Sequence, residues 1–188
     1  ANLVAVPGCY PTASILGLLP VIPYLQKNSK IILDAKSGIS GAGKSSVENG
    51  LEEDIKENFK SYNVGFHRHQ PEIKDFLKTE FNLDHEIIFI PHLLPLFRGE
   101  YVTLYCEVSQ NDLDLNELYE SYYEKHQLVR VKDKGEIAEI KDVINTFYCD
   151  ISVSYAFQSN TIVVNSAIDN LLKGAASQAI QCLDIMSS

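Results

Sequence analysis

The order in which its apolar runs arrive is what most constrains how this chain can fold. Segments that read as strands come at 30–35 (KIILDA), 86–91 (EIIFIP), 101–108 (YVTLYCEV), 128–131, around Val143, 147–157 and 161–165. Helical stretches fall between some of them but do not alternate with them regularly. Regular alternation would build a doubly wound parallel sheet. Strands in runs predict an α+β fold, with a mixed, largely antiparallel sheet flanked by helices. Helices are expected at 11–19, closed by Pro20 and Pro23, and from 47 to 59, where Val47, Leu51, Ile55 and Phe59 recur every fourth residue. Pro71 and Glu72 mark the start of another, running to about residue 81. Two more follow at 115–125 and 167–186, and residues 1–188 read as one domain.

Composition removes several function classes. A net charge of −9 argues against a general nucleic-acid binder, which needs a basic face. No signal peptide or membrane-length apolar run occurs, so no membrane partner is expected. The four cysteines, at 9, 106, 149 and 182, have neither paired nor metal-ligand spacing. Free thiols in a reducing cytoplasm fit that pattern. The chain opens at Ala1 within an apolar stretch and its one Met is Met186, which reads as a piece of a longer protein.

Cys9 is the thiol set apart from the others. Residues 3–6 read as a short buried strand, Pro7-Gly8 break it, and Pro11 suits the first turn of a helix. Cys9 then sits where free backbone N–H groups converge and the helix dipole is positive, a place that favours a thiolate nucleophile. The competing reading is a small Cys packed beside a turn.

Three other constellations stand out. His67-Arg68-His69 puts two imidazoles at i, i+2, so that in an extended segment both could line one pocket as acid or base. A zinc site would need His92 or carboxylates to complete it, and none is expected. Arg68 and Arg98 offer forks for a carboxylate or phosphate. Residues 38–45 match the phosphate-loop pattern GxxxxGK[ST] between a strand and a helix, which would suit a phosphotransferase; the missing βαβ repeats speak against it. Near the end, Asp169 or Asn170 could cap the last helix. Tyr119, Tyr122 and Tyr123 suit a packing face.

The runs PGCYPTAS, SGISGAGK, HRHQPEI, IPHLLPLFRG and DNLLKGAASQA, in this order and spanning nearly the whole chain, resemble the N-acetyl-gamma-glutamyl-phosphate reductase family. That resemblance implies a fold like the C-terminal catalytic domain of the glyceraldehyde-3-phosphate and aspartate-semialdehyde dehydrogenases. It implies a Cys9 thioester formed from N-acetyl-glutamyl phosphate with loss of phosphate, and reduction by NADPH. Either His67 or His69 would act as acid/base. Arg68, Arg98, Lys44 and Ser40 would hold the substrate; Ser37, Gly38, Gly41 and Asn170 would face the cofactor. NADPH would bind mainly to an N-terminal Rossmann domain, since no GxGxxG occurs here. A homodimer or homotetramer is implied. A non-catalytic assembly module built on the same scaffold is the remaining alternative.

Overall fold

A computed structural model describes residues 2–43 and 47–187. Lys44, and with it the end of the phosphate-loop pattern, lies outside the described residues. Seven strands form one sheet in the order β2-β3-β1-β4-β7-β6-β5. They are β1 (Lys30–Ser37), β2 (Lys60–Ser61), β3 (Glu86–Leu93), β4 (Glu100–Glu107), β5 (Val129–Val131), β6 (Cys149–Tyr155) and β7 (Thr161–Ile168). Only β1/β3 and β5/β6 pair in parallel; the other neighbours are antiparallel. The expected mixed, largely antiparallel α+β sheet is what forms.

The helices are α1 (Cys9–Leu18), α2 (Glu52–Ile55), α3 (His69–Phe81), α4 (Leu115–Tyr123) and α5 (Ser177–Ser187). Strand alternation decides what they cover. Ile31, Leu33 and Ala35 of β1, Val102, Leu104 and Cys106 of β4, and Ile162 and Val164 of β7 are buried and register side by side. α1 packs across β4 and β7 on that face. The hydroxyls of Tyr119 and Tyr123 on α4 donate to the carbonyls of Gly17 and Leu16, so the tyrosine group is a packing face. Gly17 lets α1 lie close on the sheet, since a Cβ there would lie 2.8 Å from Leu104 Cδ1 of β4.

The alternate residues Ile32, Asp34, Lys36, Ile88, Ile90, His92 and Tyr105 point to the other face and are half-buried, with no helix packed over them among the described residues. At the β6 end that face is covered by the segment carrying Ala138 and Val143, which pack on Ala167.

Four expectations are corrected. Residues 3–6 are not a strand: Leu3 is 90 % exposed, and nothing among the described residues pairs with that segment. The helix from Val47 ends at Ile55, and Phe59 leaves its stripe to stack on the His92 ring. Val143 follows a 3-10 turn rather than lying in a strand. The closing helix starts late because β7 continues to Ile168 to keep its pairing with Glu100 and Cys149; a π turn at Leu172–Ala176 then leads into α5.

Candidate active site

The chain ends of β1, β3 and β7 and the start of β4 meet at one edge of the sheet, and α1 begins there. Gly8 is the N-cap of α1 and Cys9 its first residue. Gly8 O accepts from both the N–H and the hydroxyl of Thr12, each at 3.0 Å. The Gly8 N–H donates to Glu72 Oε1 on α3 at 2.9 Å. That bond ties the cysteine turn to the helix that begins at His69. Gly174 presses on it from behind: a Cβ there would sit 2.7 Å from Cys9 Cβ.

His67 and His69 do come together, with ring centroids 4.8 Å apart. They meet through a turn and a helix start rather than an extended segment. The His69 N–H donates to His67 Nδ1 at 3.2 Å. A neutral His67 must therefore carry its proton on Nε2, which faces the Tyr62 hydroxyl at 3.5 Å. The two rings differ in position. His69 lies against Gly8, its Nε2 2.3 Å from where a Gly8 Cβ would be. His67 and Arg68 line a cavity of about 740 Å³ with Gly41, Ala42, Tyr62 and Leu93. Burial depresses both imidazoles, His69 to about 4, with the neighbouring His67 and Arg68 adding to it; Arg68 also lowers His67. Both are neutral at pH 7, each with a ring lone pair but weakened as a base. His92 does not join them: its Nδ1 meets the Ala35 carbonyl at 3.2 Å and its ring stacks on Phe59.

The Cys9 thiol is held well above its ordinary value of 9.0, by burial first and then by Glu100. The backbone N–H groups of Tyr10 and Cys9 pull the other way, as a helix start should. The thiolate expected from the helix end alone is thus opposed by a stronger effect. The larger cleft, of about 910 Å³, contains neither Cys9 nor the histidine pair; the 740 Å³ cavity takes in His67 and Arg68, while Cys9 and His69 lie outside its lining.

Residues 9–170 match the family model described as semialdehyde dehydrogenase, dimerisation domain. The chain belongs to the semialdehyde dehydrogenase dimerisation-domain family. It is 41 % identical over 189 residues to an N-acetyl-gamma-glutamyl-phosphate reductase of Thermoanaerobacter sp. (strain X514) and 45 % identical over 190 residues to one of Halothermothrix orenii. Each match takes in 99 % of this chain, which spans 55 % of the length of those curated relatives. The fold is shared with aspartate semialdehyde dehydrogenase II from Vibrio cholerae, at a TM-score of 0.78 and 17 % identity over 99 % of this chain and 62 % of that one. A probable aspartate-semialdehyde dehydrogenase from Pseudomonas aeruginosa gives a TM-score of 0.79 at 14 % identity, covering 99 % of this chain and 63 % of that one.

Within this dimerisation domain the loop after β1 is bound into the protein. The N–H groups of Gly38, Ile39, Ser40, Gly41 and Gly43 donate to the carbonyls of Gly99, Leu96, Phe97, Gly38 and Ser40. These N–H groups are taken up within the chain rather than offered to a phosphate or a nicotinamide; the end of the phosphate-loop pattern lies outside the described residues. A Cβ on Gly38 would meet Phe97 O at 2.8 Å, so its glycine serves chain packing. Ser37 donates to Gly38 O. Asn170 accepts from the Gly99 N–H at 2.7 Å and donates to Ser40 Oγ at 2.9 Å. Arg98 bridges Asn145 and the fully buried Asp169. Asp169 in turn caps the π turn by accepting from Leu171 and Leu172. Ser37, Ser40, Gly38, Asn170 and Arg98 thus form a brace beneath the cavity, while Arg68 and Gly41 face it. Such a braced loop does not fit a dinucleotide directly.

Glu100, Tyr10 and Tyr62 escaped notice in the sequence. Tyr10 packs edge-on to both histidine rings and to Phe89, and its hydroxyl meets that of Tyr62 at 3.5 Å. For Glu100 a signal existed: the two-residue period running back from Cys106, Leu104 and Val102 places it on the buried face.

Proposed function

We propose that this chain is the catalytic and dimerisation domain of a reductase that converts N-acetyl-glutamyl 5-phosphate to N-acetyl-glutamate 5-semialdehyde and phosphate. One observation carries the reading: Cys9 opens a buried helix with His69 seated on its N-cap, in a chain 41 % and 45 % identical to two named reductases. His69 accepts the thiol proton; the Sγ–H bond breaks and an imidazole N–H forms. The sulfur adds to the acyl carbonyl, the carbon–oxygen bond to phosphate breaks, and a thioester remains on Cys9. The Cys9 and Tyr10 N–H groups, which favour negative charge at the Cys9 sulfur, are the donors for the carbonyl oxygen as it gains charge. Arg68, at the cavity rim, supplies the positive charge for the substrate's anionic groups despite a net charge of −9. His67 orders the wall through Tyr62.

NADPH supplies the hydride when bound. We place its binding mainly on a part of the longer protein outside this chain, in keeping with the braced loop. The isolated chain accordingly does not turn over. Its second role is assembly in the cytoplasm as a homodimer, or a tetramer built from it. The open sheet face, with Ile32, Ile88, Ile90 and Tyr105 half-buried and uncovered, is the surface for a second copy.

The test uses the longer protein with N-acetyl-glutamyl phosphate and aspartyl phosphate in parallel, wild type against Cys9→Ser. Reduction of the acetylated substrate that vanishes in Cys9→Ser supports the reading. Preference for aspartyl phosphate, or full activity in Cys9→Ser, overturns it.

A further inference from the structure

Glu100 is the one feature near the thiol that nothing in this reading uses. It is completely buried, and neither carboxyl oxygen has a hydrogen-bond partner of good geometry. No ion pair reaches it among the described residues. It sits at the start of β4 between Ser37 of β1 and Ile168 of β7, with Cys9 above it. An isolated carboxylate in such surroundings is strongly disfavoured, and the group keeps its proton instead. Burial indeed raises it to about 8, against an ordinary 4.5. The titratable groups it acts on are Cys9 and Tyr10 from α1, Tyr62 after β2, and Cys149 from β6. Of these, Cys9 is the one whose side chain acts back on the carboxyl.

We propose that Glu100 is a positioning residue for Cys9, a carboxyl sealed beneath the first turn of α1 whose charge decides whether the thiol can ionise. While Glu100 keeps its proton it adds no charge below the sulfur and can point its O–H at a thiolate. Once it ionises, its negative charge keeps the thiol as a donor and Cys9 becomes harder to deprotonate. The pair therefore gives up one proton and resists losing the second. The inference rests on Cys9 being the reacting thiol, but its test needs no substrate.

The experiment is native-state alkylation of Cys9 by iodoacetamide against pH, read by mass spectrometry, in wild type, Glu100→Gln and Glu100→Met. Removing the ionisable carboxyl is expected to lower the Cys9 midpoint by a unit or more, about tenfold faster alkylation in the rising limb. Cys106 and Cys149, both buried, stay unreactive in a folded variant and so report folding in the same sample. Coincident profiles in all three proteins, or later ionisation in the variants, overturn the proposal. Should both variants fail to fold, infrared spectra of the wild type decide it. A protonated-carboxyl band at pH 7 that shifts on alkylating Cys9 is expected, and its absence refutes the assignment. Loss of reductase activity in Cys9→Ser tests the catalytic reading separately, whatever the alkylation profiles show.

Discussion

Gly8→Ala puts the contact between His69 and the cysteine turn to a test in which the sign of the effect decides. Gly8 has φ −66° and ψ 167°, a conformation alanine adopts freely. With no steric obstacle the substitution would stabilise the fold by about 0.4–1 kcal/mol, because it restricts the unfolded chain. The structure says otherwise. The new methyl would stand 2.3 Å from His69 Nε2 and 2.8 Å from Cδ2 and Cε1. Ring and methyl must separate by about 1 Å, and the ring is boxed in by Tyr10 and His67. Overpacking of that size costs about 1–3 kcal/mol, a fall of several degrees in Tm for a domain of about this length. A displacement of about 1 Å at a nucleophile can also lower turnover by about a hundredfold. Thermal unfolding of Gly8→Ala, His69→Ala and the double variant gives the coupling. The double variant should be no less stable than His69→Ala, since the clash is gone. A Gly8→Ala protein more stable than wild type would refute the contact.

Other predictions follow from neighbouring groups. The raised Glu100 means that the folded chain holds a proton the unfolded chain gives up above 4.5. Its contribution is present at low pH and is lost as pH rises toward about 8. Urea unfolding should show wild type losing about 2 kcal/mol relative to Glu100→Gln between about pH 6 and pH 8; parallel curves would contradict this. Arg98→Ala strips the partner from buried Asp169 and should cost about 3 kcal/mol, since Arg98 itself is partly solvated. A variant of unchanged Tm but raised KM would instead assign Arg98 to the substrate. Ile90→Lys on the open sheet face should shift the sedimentation of the longer protein toward monomer without lowering its Tm by more than a few degrees. An unchanged assembly would place the dimer contact elsewhere.

The architecture was legible in the sequence because strands arriving in runs carry their own two-residue period. The helix period at Val47 was legible but misleading: a stripe at every fourth residue implied Phe59 in the helix, whereas the chain turns after Ile55 and Phe59 finds the His92 ring. The start of α5 was hidden because 167–168 belong to β7, a choice made by pairing across the sheet. In the site, Cys9 and the histidines were legible as local clusters. The roles of Arg98, Asn170 and Ser40 were not, because their partners lie 47–130 residues away in the chain. Glu100 lay in plain alternation, yet its meaning depends on having no cation paired with it among the described residues, which only the folded chain shows.

The central claim is that Cys9 is acylated by an acyl phosphate. It is tested most directly by mixing the longer protein with N-acetyl-glutamyl phosphate in the absence of NADPH, then measuring released phosphate and the mass of the Cys9 peptide. The account predicts a burst of about one phosphate per chain and an N-acetyl-glutamyl adduct on Cys9, both absent in Cys9→Ser. An unmodified Cys9, or an adduct carried by another residue, would contradict it.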